Sequence, residues 1–133
     1  QIKSLFFLAK FLKKKYYIKS KNFLGHSDIA PNRKKDPGEK FPWKKLAKSK
    51  LSLWHNLDGK KLKKKRLVKL NLFEESTLLK NLNKIGYHKI SKKNFNPQKR
   101  ILIKAFQMRF RQDLINGISD QECLAISDNL SKF

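Results

Sequence analysis

The stretch NFLGHSDIAPNRKKDPGEKFPW, residues 22–43, differs in composition from the Lys- and Leu-rich chain around it. Asp36-Pro37-Gly38 predicts a tight turn, because Pro fixes one backbone angle and Gly permits the next. Ala30-Pro31-Asn32 predicts a second turn. Two turns would fold the loop back on itself and hold His26 and Asp36 at set positions. An imidazole and a carboxylate are ordinary zinc ligands, so the loop is a candidate metal site, although this spacing is also common in purely structural loops.

The composition of the chain is that of a folded protein. Its 133 residues are 39% hydrophobic and include 10 Phe, which suffices for one ordinary domain or two small ones. No apolar run approaches the roughly 20 residues that cross a bilayer. Cys123 is the single cysteine, so an internal disulfide is excluded.

The net charge is strongly positive, with 33 basic and 10 acidic residues and a formal charge of +23. Such a charge favours anionic partners. However, 28 of the basic residues are Lys and 5 are Arg, and Arg is the residue that reads bases and binds phosphates through two hydrogen bonds. The Lys excess is typical of an A/T-rich coding sequence. It argues against specific nucleic-acid binding, and leaves an anionic polymer or a membrane surface open as partners.

Apolar spacing predicts helices at both ends of the chain. A helix is expected over residues 2–15, and another begins at Pro42. Phe23-Leu24 predicts a short strand that ends at the loop. Residues 59–70 hold seven basic groups and no acid, which is typical of a linker or of the solvated face of a short helix, and a bound anionic surface is a third possibility.

The C-terminal third of the chain has a purely helical pattern. One helix is predicted from Glu74 to a stop at Gly86, and Pro97 can open a second. Ser119 is expected to cap a third helix, with Glu122 completing a capping box. Three short helices form a small bundle.

Four short motifs follow one another in the loop: Gly25-His26-Ser27-Asp28-Ile29-Ala30-Pro31, Arg33-Lys34, Asp36-Pro37-Gly38 and Phe41-Pro42-Trp43. Together they resemble the signature of bacterial zinc-dependent N-acetylmuramoyl-L-alanine amidases of the type-2 family. KAFQMRFR, residues 104–111, followed by Asn116-Gly117-Ile118, is similar to the helical peptidoglycan-binding domain that some members carry.

The resemblance implies a fold and a domain division. We expect a mixed α/β amidase domain, truncated to its C-terminal portion, over residues 1–56. A basic linker would follow over 57–70, and a three-helix peptidoglycan-binding domain over 71–133. The whole would be mostly helical, with one or two short strands near residues 22–25.

The resemblance also implies an activity, which is hydrolysis of the amide between N-acetylmuramic acid and the L-alanine of the stem peptide. By motif position, His26 and Asp36 correspond to two ligands of the catalytic Zn²⁺. Lys34 corresponds to the residue that stabilises the oxyanion. The implied partners are peptidoglycan and muropeptides. The implied location is the bacterial cell envelope: periplasmic, associated with the outer membrane, or secreted.

Two functional positions of the family have no counterpart in this sequence, namely its first His ligand and its acidic base. His55 and His88 are predicted to be surface residues, and nothing supports Glu39 as the base. Because the loop motif is intact and the upstream half of the family pattern is missing, we expect the C-terminal part of an amidase, whether a fragment, a split gene product or the product of a decaying gene.

Whether such a chain is active without a separate N-terminal half stays open. Two other functions also stay open. One is a non-catalytic remnant that binds the cell wall through its helices. The other is a basic protein that binds anionic polymers or nucleic acid through its charge.

Overall fold

The computed structural model describes residues 1–133 and consists of helices and loops. The seven α-helices are α1 (Ile2–Tyr16), α2 (His26–Ile29), α3 (Trp43–Lys48), α4 (Gly59–Lys65), α5 (Leu72–Lys84), α6 (Phe95–Phe110) and α7 (Gln121–Leu130), and a 3-10 turn covers Ser20–Asn22. The helices predicted from residue 2, at Pro42 and between residues 74 and 86 are confirmed. No helix combines the length and apolar composition that crossing a bilayer requires.

The predicted α/β fold class is wrong for this chain, because residues 22–25 form no strand. Phe23 has an extended backbone, with φ −84° and ψ 103°, but no second extended segment pairs with it. Side chains take the place of a strand partner. The carbonyl of Phe23 accepts a hydrogen bond from Arg109 at 3.0 Å, and the N–H of Gly25 donates to Asp28 at 2.9 Å. These bonds satisfy the backbone groups that a sheet would otherwise pair.

The larger hydrophobic core lies among the C-terminal helices. Its buried residues are Leu62, Leu78, Leu82, Tyr87, Leu102, Ile103, Ala105, Phe106, Phe110, Cys123, Ile126 and Leu130. Helices α4 and α5 both pack against α7. Within residues 57–70, the predicted alternative of a short helix with a solvated basic face is the one observed: the segment contains α4, and Leu62 on this helix is buried in the core. The remaining side chains of α4 are basic and exposed, which explains the charge pattern of the segment.

The start of α7 differs from the sequence prediction. Its N-cap is Asp120, whose carboxylate accepts from the N–H of Cys123 at 2.9 Å, and not Ser119. Glu122, which was expected to complete a capping box, instead accepts from Nε of Arg66 at 2.6 Å. Both acids therefore have guanidinium partners, Arg111 for Asp120 and Arg66 for Glu122, and only Asp120 also caps the helix. Burial raises the pKa of the Cys123 thiol to about 12.

The smaller hydrophobic core joins α1 to α3. Its buried residues are Ala9, Trp43, Leu46 and Leu51. The opposite face of α1 is solvent-exposed although it is apolar, and it carries Phe7, Leu8 and Phe11. Phe7 is 77% exposed. A contiguous apolar helix face of this kind is typical of a surface that packs against another polypeptide segment.

The two cores meet around α6. Trp54 packs against both of them, and its ring centroid lies 5.6 Å from that of Phe110. Just beyond α6, the side-chain amide of Gln112 donates to the carbonyl of Phe41 at 2.8 Å. The loop between α2 and α3 is therefore held against the C-terminal helices.

We predict that Phe106→Ala lowers the free energy of unfolding by about 3–5 kcal/mol, because it removes a large side chain from the larger core and leaves a cavity. Phe106 is fully buried, whereas Phe73 is 78% exposed. Phe73→Ala makes the same chemical change at the surface and should stay within ~0.5 kcal/mol of the unmodified chain. Urea unfolding followed by circular dichroism checks both values. Equal losses for the two variants would contradict the assignment of the core.

Candidate functional site

Helix α2 carries His26 at its first position. Its N-cap is Gly25, whose backbone is extended. The Asp28 carboxylate reaches back to accept from the N–H of Gly25 at 2.9 Å, as the third residue of a capping box does. The N–H of Ala30 donates to the carbonyl of His26 at 2.8 Å and ends the helix. This single turn fixes the backbone from which the imidazole projects.

The loop after α2 folds back onto the start of the helix, as the predicted turns require. The N–H of Ser27 donates to the carbonyl of Asp36 at 3.0 Å. Gly25 lies so close to the second turn that an added Cβ would stand 2.5 Å from Cδ of Pro37. It would also stand 3.2 Å from the ring of Trp43. Glycine at position 25 is therefore what allows the two arms of the loop to approach each other.

The structure brings His26 and Asp36 into contact. Nδ1 of His26 is hydrogen-bonded to Oδ2 of Asp36, and the two side chains are 70% and 58% exposed. The hydrogen bond with His26 lowers the pKa of Asp36, and the positive charge of Lys34 adds to this lowering. Lys34 is exposed on the same loop. All three predicted site residues thus lie on one exposed loop, with the two candidate ligands side by side.

This pair of donors fits part of a zinc site. A neutral imidazole nitrogen and a carboxylate oxygen are ordinary zinc ligands, and catalytic sites use three protein ligands with a water in the fourth position. His26 and Asp36 are accessible and adjacent. No third His, Cys, Asp or Glu joins them in a group that could hold a metal. The residues present therefore supply two donors of the usual three.

The other residues that the sequence raised lie apart from this pair. His88 is exposed, as predicted, and so is Glu39. His55 is half-buried rather than at the surface, because it stacks on Trp54 with ring centroids 5.3 Å apart. Burial lowers the pKa of His55, and the nearby Lys44 lowers it further.

Three buried residues behind the loop were missed from the sequence, namely Asp28, Tyr87 and Arg109. Nη1 of Arg109 donates to Asp28 at 2.5 Å, and the Tyr87 hydroxyl donates to the same carboxylate at 2.7 Å. Burial, with a smaller contribution from the Asp28 carboxylate, raises the pKa of Tyr87 well above its usual value. The capping position of Asp28 could have been read from its spacing to Gly25. No local signal in the sequence pairs Asp28 with Tyr87 or Arg109, which lie 59 and 81 positions further along the chain.

Comparison with known proteins reveals relatives of one kind. No protein-family profile matches the chain. N-acetylmuramoyl-L-alanine amidase AmiD of Escherichia coli strain K12 is 37% identical over 131 residues, which are 98% of this chain and 47% of AmiD. The chain thus spans about half the length of this relative.

Solved structures give the same result. AmiD from E. coli, in complex with the substrate anhydro-N-acetylmuramic acid-L-Ala-D-gamma-Glu-L-Lys, matches with a TM-score of 0.85 and 36% identity, over 99% of this chain and 51% of that one. AMPDH3 from Pseudomonas aeruginosa matches with a TM-score of 0.78 and 31% identity, over 98% of this chain and 52% of that one. The resemblance to N-acetylmuramoyl-L-alanine amidases is confirmed along nearly the whole chain.

We predict that Gly25→Ala destabilises the chain by roughly 1–3 kcal/mol, the usual cost of forcing an atom into a filled space. The new Cβ would have to displace Pro37 or the loop. Gly59 lies in the first turn of α4 with nothing within 4 Å of an added Cβ. Gly59→Ala should therefore be neutral or stabilising by up to about 1 kcal/mol. Urea unfolding of the two variants measures the difference, and a neutral Gly25→Ala would contradict the close approach.

We predict that Asp36 in the metal-free chain titrates below its ordinary pKa of 3.8, and that His26→Ala raises this pKa. The carboxylate is favoured by the folded state, so its contribution to stability is complete above the ordinary pKa. That contribution is lost as the pH falls through the lowered value. NMR titration of the Asp36 carboxyl carbon measures the shift. Lys34→Met should raise the pKa of Asp36 by less than His26→Ala does, and Lys35→Met should raise it least. An Asp36 pKa that His26→Ala leaves unchanged would refute the hydrogen bond between His26 and Asp36.

Proposed function

We propose that this chain is the C-terminal part of a zinc-dependent N-acetylmuramoyl-L-alanine amidase. It would act on muropeptides by hydrolysing the amide between N-acetylmuramic acid and the L-alanine of the stem peptide. The contact between His26 and Asp36, on the loop that carries the amidase motif, supports this proposal most directly. The matching AmiD and AMPDH3 structures contain, respectively, a muropeptide substrate and an anhydromuramic pentapeptide.

Each predicted site residue has a chemical role in this proposal. When bound, zinc lowers the pKa of its water and polarises the substrate carbonyl. His26 and Asp36 would hold the ion, which would take the place of the hydrogen bond between them. The lowered pKa of Asp36 keeps its carboxylate ionised, as a metal ligand must be. The ammonium group of Lys34 would stabilise negative charge that develops on the substrate oxygen.

The third ligand and the acidic base would come from a segment beyond these 133 residues. It would be either a preceding part of a longer chain or a separate N-terminal half. The exposed apolar face of α1, formed by Phe7, Leu8 and Phe11, supports this part of the proposal. Burying three large side chains that now face water would stabilise such an assembly.

The C-terminal helices would bind the polymer that the site cleaves. We assign residues 1–56 to the catalytic unit, 57–70 to the connection and 71–133 to a peptidoglycan-binding unit. A groove of about 720 Å³ between α5 and the start of α6 supports this assignment. It is lined by apolar and basic side chains, among them Leu79, Phe95, Lys80 and Lys84. A wall substrate would in turn locate the protein in the bacterial cell envelope.

A non-catalytic wall-binding remnant is the second candidate, and the same groove favours it. In that case the His26 loop would hold no metal. The positive charge of the chain would strengthen attraction to anionic wall polymers, and such binding weakens as salt rises. Zinc binding therefore separates the two candidates.

We predict that the chain binds Zn²⁺ weakly, and that His26→Ala and Asp36→Ala each reduce the affinity by more than about tenfold. Even residues that only orient a ligand cost ~10–100-fold when removed. Competition with a chromophoric chelator measures the affinity. His88→Ala is the matched control, because this imidazole is exposed and lies outside the loop.

Cleavage is tested by adding the half of AmiD that the match leaves uncovered and following release of peptide from the anhydromuramyl tripeptide. Lys34→Met should retain zinc affinity but lose turnover. Zinc affinity that is unchanged in both ligand variants would overturn the proposal. Binding to insoluble peptidoglycan that survives the loss of both ligands, with no cleavage in any mixture, would favour the remnant.

A further inference from the structure

The residues behind the loop form a compact buried group, which we call the Asp28 cluster and define as Asp28, Tyr87 and Arg109. Each is at most 4% exposed. Asp28 lies on α2, two residues after His26, Tyr87 follows α5, and Arg109 is near the end of α6. The cluster therefore connects the candidate metal loop to two of the C-terminal helices.

Asp28 is the acceptor at the centre of the cluster. One of its carboxylate oxygens accepts from the N–H of Gly25 at 2.9 Å and from Arg109 at 2.5 Å. The other oxygen accepts from the Tyr87 hydroxyl at 2.7 Å. A carboxylate excluded from water is tolerated only when it is paired and hydrogen-bonded. Arg109 and Tyr87 can reach Asp28 only while α2 lies against α6 and the segment after α5.

Arg109 holds both arms of the loop at once. Nη2 donates to the carbonyl of Phe23, just before α2, at 3.0 Å. The guanidinium carbon lies 4.2 Å from the ring centroid of Trp43, where the loop ends. A guanidinium over the face of Trp is attracted to it, and more so when water is excluded. The Arg109 side chain thus contacts Phe23 before α2, Asp28 within α2 and Trp43 at the start of α3.

Helix α2 needs such support because it is short. It spans four residues, far fewer than an isolated helix requires for stability in water. Its own hydrogen bonds cannot hold it against fraying, and its exposed residues, His26 and Ile29, contribute little buried surface. The order of α2 therefore depends on its two buried residues, Ser27 and Asp28.

We infer that Tyr87 and Arg109 are positioning residues for the metal-ligand loop. They act through Asp28 to fix α2, and so they set the place of His26 relative to Asp36. The C-terminal helices then form part of the support of the site as well as a surface for the polymer. The metal part of this inference rests on the proposed function, whereas the ordering of the loop does not.

Amide hydrogen exchange in the full, metal-free chain tests the inference. The reporting amides are those of Ser27, which donates to Asp36, and Ala30, which donates to His26. Arg109→Met should speed exchange at these two amides at least tenfold more than at amides of Leu82 and Ile103 in the larger core. Tyr87→Phe should act in the same direction with a smaller factor, and Arg109→Lys should restore part of the protection.

Arg66→Met is the matched control. Arg66 also pairs with carboxylates, at Glu122 and Asp113, but these bonds lie within the C-terminal part of the chain and do not touch the loop. This variant should leave exchange at Ser27 and Ala30 unchanged relative to the core. If Arg109→Met speeds loop and core amides by the same factor, Arg109 only stabilises the fold and the inference is overturned. If that variant does not fold, Tyr87→Phe decides by the same comparison.

Zinc affinity, measured with Zn²⁺ alone, gives a second readout. Arg109→Met should weaken it by about tenfold or more although His26 and Asp36 are intact, in the range found when residues that orient metal ligands are removed. Unchanged affinity together with unchanged loop exchange would refute the inference. If neither the unmodified chain nor any variant binds zinc, the proposed function fails. Hydrogen exchange would still decide whether the Asp28 cluster positions the loop.

Discussion

The buried ion pair between Asp28 and Arg109 is the constraint on which the arrangement of the chain depends. It joins residues 81 positions apart, and Arg109 also lies over the ring of Trp43 in the smaller core and that of Phe110 in the larger core. Removing one partner of such a pair typically costs roughly 3–5 kcal/mol, because the other charge is left buried and unpaired. The pair is thus satisfied in only one relative placement of loop and helices. Trp54 and the bond from Gln112 to Phe41 reinforce that placement without defining it.

The loop divides its polar residues between two faces with opposite requirements. His26, Lys34 and Asp36 face solvent, where an ion and a substrate could reach them. Asp28 and Ser27 face inward and are buried. Exposed side chains are not held in place by packing against neighbours. Their positions therefore depend on the backbone that carries them. Within the single turn of α2, the exposed His26 is followed by the buried Ser27 and Asp28, so the candidate ligand is open to solvent while the helix that carries it is fixed.

The absence of a strand at residues 22–25 is explained by the same contacts. An extended segment joins a sheet only if another strand satisfies its backbone groups. Around Phe23 and Gly25 those groups bond instead to the side chains of Arg109 and Asp28. The local preference of Phe23 and Leu24 for extended backbone is real, and Phe23 does adopt it. What the sequence pattern lacks is any sign that the partner would be a guanidinium rather than a strand.

The sequence by itself determined what depends on neighbouring residues. Apolar spacing placed the long helices, and Pro and Gly placed the turns that return Asp36 to His26. The motif singled out Lys34 for a role that stays a prediction. Tertiary structure decided what depends on distant partners: the burial of Leu62 in a segment that reads as a linker, the cap of α7 at Asp120, and the Asp28 cluster. Hydrogen-bonded pairs 53, 59 and 81 residues apart leave no periodicity or spacing in the chain, because only the folded backbone brings them within hydrogen-bonding distance.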